Sequence, residues 1–134
     1  MYSDTVRRTG RNPWLLVLVG LNVTYAALLI VLAVSPQAPG AEAVPDRLAH
    51  GVAYGIQAIL LFAMLARVRP TVEALVIGCL GALAFGVFTE GLQLFQPTRS
   101  TEFMDIVADA CGAVTAGVLV ALFHLVRTRI GNGA

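Results

Sequence analysis

The chain has 134 residues, enough for one domain, of which 57% are hydrophobic and 13% charged. Soluble domains carry roughly a quarter charged residues, so this balance points to a membrane protein. All nine cations are arginines, scattered among apolar runs and not gathered with aromatics, which argues against a nucleic-acid-binding surface.

A helix needs about 20 apolar residues to cross a bilayer. Four runs in this sequence qualify. The first covers 14–34, opens on Trp14 and follows the basic residues Arg7, Arg8 and Arg11. It is longer than the apolar core of a cleaved signal peptide, so an uncleaved anchor is expected. Trp14 reads as an interfacial anchor. Asn22 and Tyr25 lie mid-span and are expected to hydrogen-bond between helices. The second run covers 47–66, the third 71–95 and the fourth 103–126. The links SPQAPGAEAVPD, RVRP and QPTRSTE are short, and consecutive spans must therefore alternate in direction. The expected fold is all-α: an integral membrane, four-helix, up-down bundle. Residues 1–13 form an N-terminal segment, 14–126 the membrane domain and 127–134 a tail.

Arginines set the direction. With the N-terminus inside, Arg7, Arg8, Arg11, Arg67, Arg69, Arg127 and Arg129 are cytoplasmic, and only Arg47 and Arg99 lie outside. Seven against two is a clear positive-inside bias, which places both termini in the cytoplasm. The acids run the other way. Asp4 and Glu73 are inside, whereas Glu42, Asp46, Glu90, Glu102, Asp105 and Asp109 gather at the outer ends of the spans.

Depth follows from a helical rise of about 1.5 Å per residue, which puts His50 about 6 Å, Tyr54 about 12 Å, Glu90 about 9 Å and Asp109 about 10 Å below the outer edge. Face follows from spacing. Asp46, His50, Tyr54 and Gln57 share one stripe on the second span; Glu90 and Gln93 share one on the third; Asp105, Asp109 and Gly112 share one on the fourth. Lipid does not accept such stripes, so they must turn toward one another or a wet recess. The pairs Gly51/Gly55, Ala82/Gly86 and Gly112/Ala116 have the spacing of close helix contacts, though a chain rich in Gly and Ala also produces it by chance.

Asp46-Arg47-x-x-His50-x-x-x-Tyr54 resembles a signature of the VanZ-like family. So does Glu90-x-x-Gln93 with Pro97, Arg99 and Ser100 after it, then Asp105-x-x-x-Asp109-x-x-Gly112. The family takes its name from a membrane protein linked to resistance against teicoplanin. The resemblance implies a multi-pass protein of the bacterial inner membrane with a role in the cell envelope, and it implies no defined reaction. One position departs: Asp109 stands where members often carry Asn, which adds a carboxylate.

Three uses of the cluster are open from the sequence. In an enzyme at the outer leaflet, His50 and Glu90 transfer protons. Asp46, Arg47, Tyr54, Gln93, Arg99, Asp105 and Asp109 then hold an anionic lipid or lipid-linked envelope precursor. In a binding or transport module the same residues recognise a ligand without bond chemistry. In a structural bundle they tie helix ends together as ion pairs. A metal is the weakest option, because the cluster has one histidine and no Cys ligand, and none is assigned. No nucleotide-loop, GxSxG or HExxH motif occurs, and no cofactor is expected. Cys79 and Cys111 read as small core residues, and His124 as an interfacial residue far from the cluster. The sequence does not set the oligomeric state.

Overall fold

A computed structural model describes residues 13–36, 45–97 and 102–132. It contains four helices among the described residues: α1 (Pro13–Val34), α2 (Asp46–Leu65), α3 (Thr71–Gln93) and α4 (Phe103–Asn132). Each span lies within two residues of its expected start. α2 and α3 begin directly after Pro45 and Pro70. A proline is tolerated there, because its fixed φ suits the entry and the first N–H groups of a helix have no partner within it. Asp46, Glu73 and Asp105 occupy the first turns of α2, α3 and α4, where the helix dipole favours an anion. α4 runs on beyond 126, so most of the expected tail is helix. At 30 residues it is about 45 Å long, more than a bilayer's hydrocarbon thickness.

The contacts give the directions of the helices. Along α2, His50, Ala58 and Phe62 meet Glu90, Ala82 and Ala74 of α3, so these helices are antiparallel. Along α4, Asp109, Ala113 and Ala121 meet the same three levels of α2 in rising order, so α2 and α4 are parallel neighbours. Asn22 and Tyr25 of α1 reach the Leu60 and Ala53 carbonyls at 3.0 Å each, which sets α1 antiparallel to α2. The bundle is up-down, with α2, α3 and α4 as its centre and α1 laid against α2 and α3. Asn22 and Tyr25 make the interhelical hydrogen bonds expected of them.

The interior is small and partly polar. Ala58, Ala82 and Ala113 form one buried cluster; Phe62, Ala74 and Ala121 form another. The large apolar side chains face outward: Leu80 is 60% exposed and Phe123 67%. In water such a surface would drive aggregation, whereas in lipid it is already solvated. Hydrophobic burial cannot hold these helices together in a bilayer, so close packing and hydrogen bonds must. The α2–α4 seam is the tightest contact. Gly112 lies directly on the Gly51 backbone, and Gly55 lies against Gly112 and Ala116. Any Cβ on Gly112 would overlap the Gly51 carbonyl. Cys79 is half-buried, its thiol 3.4 Å from the Ala113 carbonyl on α4. Cys111 is exposed, contrary to the expectation of a core residue, because α4 turns that face outward. His124 packs edge-on against Phe62, 5.7 Å between ring centres, at the opposite end from the acids.

Candidate functional site

The acid-bearing end of the bundle brings the three stripes together. His50 is 8% exposed, Glu90 5% and Asp109 0%. His50 Nδ1 lies 3.0 Å from Asp109 Oδ1, and His50 Nε2 lies 3.6 Å from Glu90 Oε1. Imidazole from α2 thus stands between a carboxyl of α4 and one of α3. An ionised carboxylate only accepts hydrogen bonds, so with Asp109 ionised its Oδ1 accepts from Nδ1–H and orients the ring, and Nε2 faces Glu90. At 3.6 Å that second approach is too long for a hydrogen bond.

Gly86 makes room for this arrangement. A Cβ there would lie 2.6 Å from Asp109 Oδ2. One turn deeper, Tyr54 hydrogen-bonds Thr89. The Thr89 hydroxyl sits 2.9 Å from the Gly86 carbonyl, to which it donates, and its lone pairs accept from the Tyr54 hydroxyl. Below that, Gln57 Nε2 lies 3.4 Å from Asn22 Oδ1, which carries the polar ladder on to α1. Two carboxylate oxygens at the centre, Glu90 Oε1 and Asp109 Oδ2, have no hydrogen-bond partner among the described residues.

The remaining predicted residues lie around this centre. Asp105 is 3% exposed, one turn of α4 before Asp109. Asp46 is exposed at the start of α2, and one ligand atom each from Asp46, His50 and Asp105 fall within 4.8 Å of one another. That is a spacing a divalent cation can bridge. Gln93 is buried one turn along α3 from Glu90. Arg47 is turned away, its guanidinium 3.1 Å from Glu102 on the exposed rim. Arg99 lies outside the described residues. Thr89 and Gly86 were not singled out for the site from sequence. The signal was available: Gly86 lies four residues before Glu90, and Thr89 four before Gln93, spacings that share a helical face.

A shallow, open groove of about 520 Å³ starts at Arg47 and follows the outer side of the α2–α4 seam. Leu48, Val52, Ile56, Ile59 and Leu119 give it apolar walls, and Gly51, Gly55 and Gly112 lie along its length.

Four helices long and apolar enough to span, a small-residue interior and outward apolar side chains define a multi-pass, four-span membrane protein. No family model, curated protein or solved structure matches the chain.

Proposed function

We propose that this is a VanZ-like protein of the bacterial inner membrane, with both termini in the cytoplasm and the acidic end at the outer face. It binds and acts on the head group of an anionic lipid or a lipid-linked envelope precursor. Three motifs in order along the chain support the family. The arginine bias supports the direction, since Arg67, Arg69, Arg127 and Arg129 all belong to the end away from the acids.

The observation that carries the functional reading is the buried His50, held by Asp109 and facing Glu90. A histidine oriented by one carboxylate and facing another is an arrangement for moving a proton. Asp109 orients, while His50 and Glu90 exchange the proton with the bound head group. The groove beside Arg47 supports a lipid as ligand: an acyl chain fits its apolar walls, and the guanidinium at its end suits an acidic head group. A purely structural ion-pair network is the lesser reading. Such a network is most stable when its buried atoms are hydrogen-bonded, and Glu90 Oε1 and Asp109 Oδ2 have no such partner among the described residues.

The test is His50→Ala, scored in cells under envelope stress, glycopeptide exposure included, with protein level and membrane insertion measured alongside. The expected outcome is loss of the phenotype at normal level and insertion. Full function in the variant would overturn the proton-transfer reading.

A further inference from the structure

We infer that Asp46, His50 and Asp105 form a binding site for one divalent first-row cation, with Asp109 as the group that orients the histidine and Glu90 standing beside it. The acids alone would not make a site. What points to a ligand is Glu90 Oε1: it is buried, has no hydrogen-bond partner among the described residues, and stands 3.6 Å from His50 Nε2. Two ligands on a tetrahedral ion with bonds of about 2.1 Å are about 3.4 Å apart. The pair is therefore too far apart for a hydrogen bond and close to the edge of a coordination polyhedron.

Two carboxylates stand with His50 at ligand spacing. Asp46, one helical turn before His50, and Asp105 of α4 bring carboxylate oxygens within 4.8 Å of each other and of an imidazole nitrogen. These three ligands come from α2 and α4, and Glu90 of α3 approaches the same histidine. Nδ1 of His50 is engaged by Asp109, which leaves Nε2 as the ligand. A metal-bound histidine commonly gives its other N–H to a carboxylate, which fixes the ring and raises its basicity. One nitrogen and carboxylate oxygens suit Zn²⁺ or Mn²⁺ better than a soft, thiolate-bound ion.

Charge gives the site a purpose. Asp46, Glu90, Asp105 and Asp109 crowd one imidazole, and Arg47, the arginine nearest them among the described residues, is engaged by Glu102. An anionic head group would be repelled by that recess. A bound dication offsets two of the negative charges and offers open positions to a phosphate or carboxylate oxygen. With an ion bound, His50 would serve as its ligand, and Glu90 would take over from His50 as the group that holds the proton. This last step rests on the head-group reading; the cation site does not.

The experiment uses the full chain, purified in detergent, stripped with a chelator and titrated with Zn²⁺, Mn²⁺ and Mg²⁺ without added lipid. Bound metal per chain and the thermal unfolding midpoint are read together. One equivalent of Zn²⁺ or Mn²⁺ with a raised midpoint is expected, and Mg²⁺ binding more weakly. Asp46→Asn lies on the exposed rim and leaves the fold intact; it should weaken binding ten-fold or more. Asp105→Asn should do the same, and Asp109→Asn should weaken binding about 10- to 100-fold. Less than one equivalent bound at millimolar zinc overturns the inference, as does wild-type affinity in Asp46→Asn. A second titration with vesicles of anionic lipid separates the two readings. Metal bound without any gain in lipid affinity defeats the head-group reading and leaves the cation site standing. Anionic lipid bound equally well by the stripped chain defeats the cation site's role.

Discussion

The two ends of the α2–α3–α4 bundle are built in opposite ways. At one end Phe62, Ala74 and Ala121 close the contact with apolar surface, backed by Leu65, Leu75 and Val120. At the other end the same three helices meet through His50, Glu90 and Asp109. The apolar end shows what this fold requires: small residues and one aromatic ring suffice to seat three helices. The polar end exceeds that requirement, for it carries two carboxylate oxygens without a hydrogen-bond partner among the described residues, where alanine would pack without cost. The contrast is the reason the proposed site is assigned to the end that is harder to build.

The change with the largest expected effect strikes between the two ends. Gly112→Ala places a methyl group on the Gly51 carbonyl, and backbone cannot yield as a side chain can. α2 and α4 must separate, at a cost of about 3 kcal/mol or more by comparison with overpacked cores. Thermal unfolding in detergent should show a collapse of stability, with metal binding and phenotype lost together. Wild-type stability in this variant would mean that the seam is looser than the contact between Gly51 and Gly112 requires.

Phe62→Ala comes next and is confined to the apolar end. In soluble cores this truncation costs about 3–5 kcal/mol, part of which is transfer from water. A bilayer lacks that part, so about half is expected here. The same unfolding measurement checks it, and metal binding at the far end should be unchanged. Loss of metal affinity in Phe62→Ala would show that the two ends are not independent.

Much of this was legible in the residues. Hydropathy alone places four spans, because a bilayer demands about 20 apolar residues of every helix. Helical rise and face bring His50, Glu90 and Asp109 to one depth, since lipid excludes every other orientation. Other features depend on contact and not on pattern. Which pair of small residues makes the tight seam is decided by helix rotation, and the sequence offers several equivalent pairs. Arg47 stands beside Asp46 in the chain, yet adjacent helical residues point about 100° apart. It therefore leaves the recess for Glu102 on the rim. The metal option looked weakest in sequence because the cluster holds one histidine and no Cys ligand. The proposed ligands come from two helices, α2 and α4, and only the packing of those helices brings them together.

The mildest change sharpens the contrast from within the polar end. Tyr54→Phe removes a buried hydroxyl that donates to Thr89 and leaves the ring in place. Thr89 keeps the Gly86 carbonyl as partner, so no donor is stranded. Hydrogen bonds between membrane helices average about 0.6 kcal/mol, and a loss of that order is expected in thermal unfolding. Tyr54 sits one turn beneath His50 on the same stripe, its ring centre 6.2 Å from the imidazole. It touches neither Asp46 nor Asp105, so metal affinity should hold within a factor of about three, less than half the free energy of a tenfold change in affinity. A large fall in metal binding at unchanged stability would extend the site downward to Tyr54 and Thr89. A large fall in stability would instead make this pair part of what seats the helices, and the polar end would then serve the fold as the apolar end does.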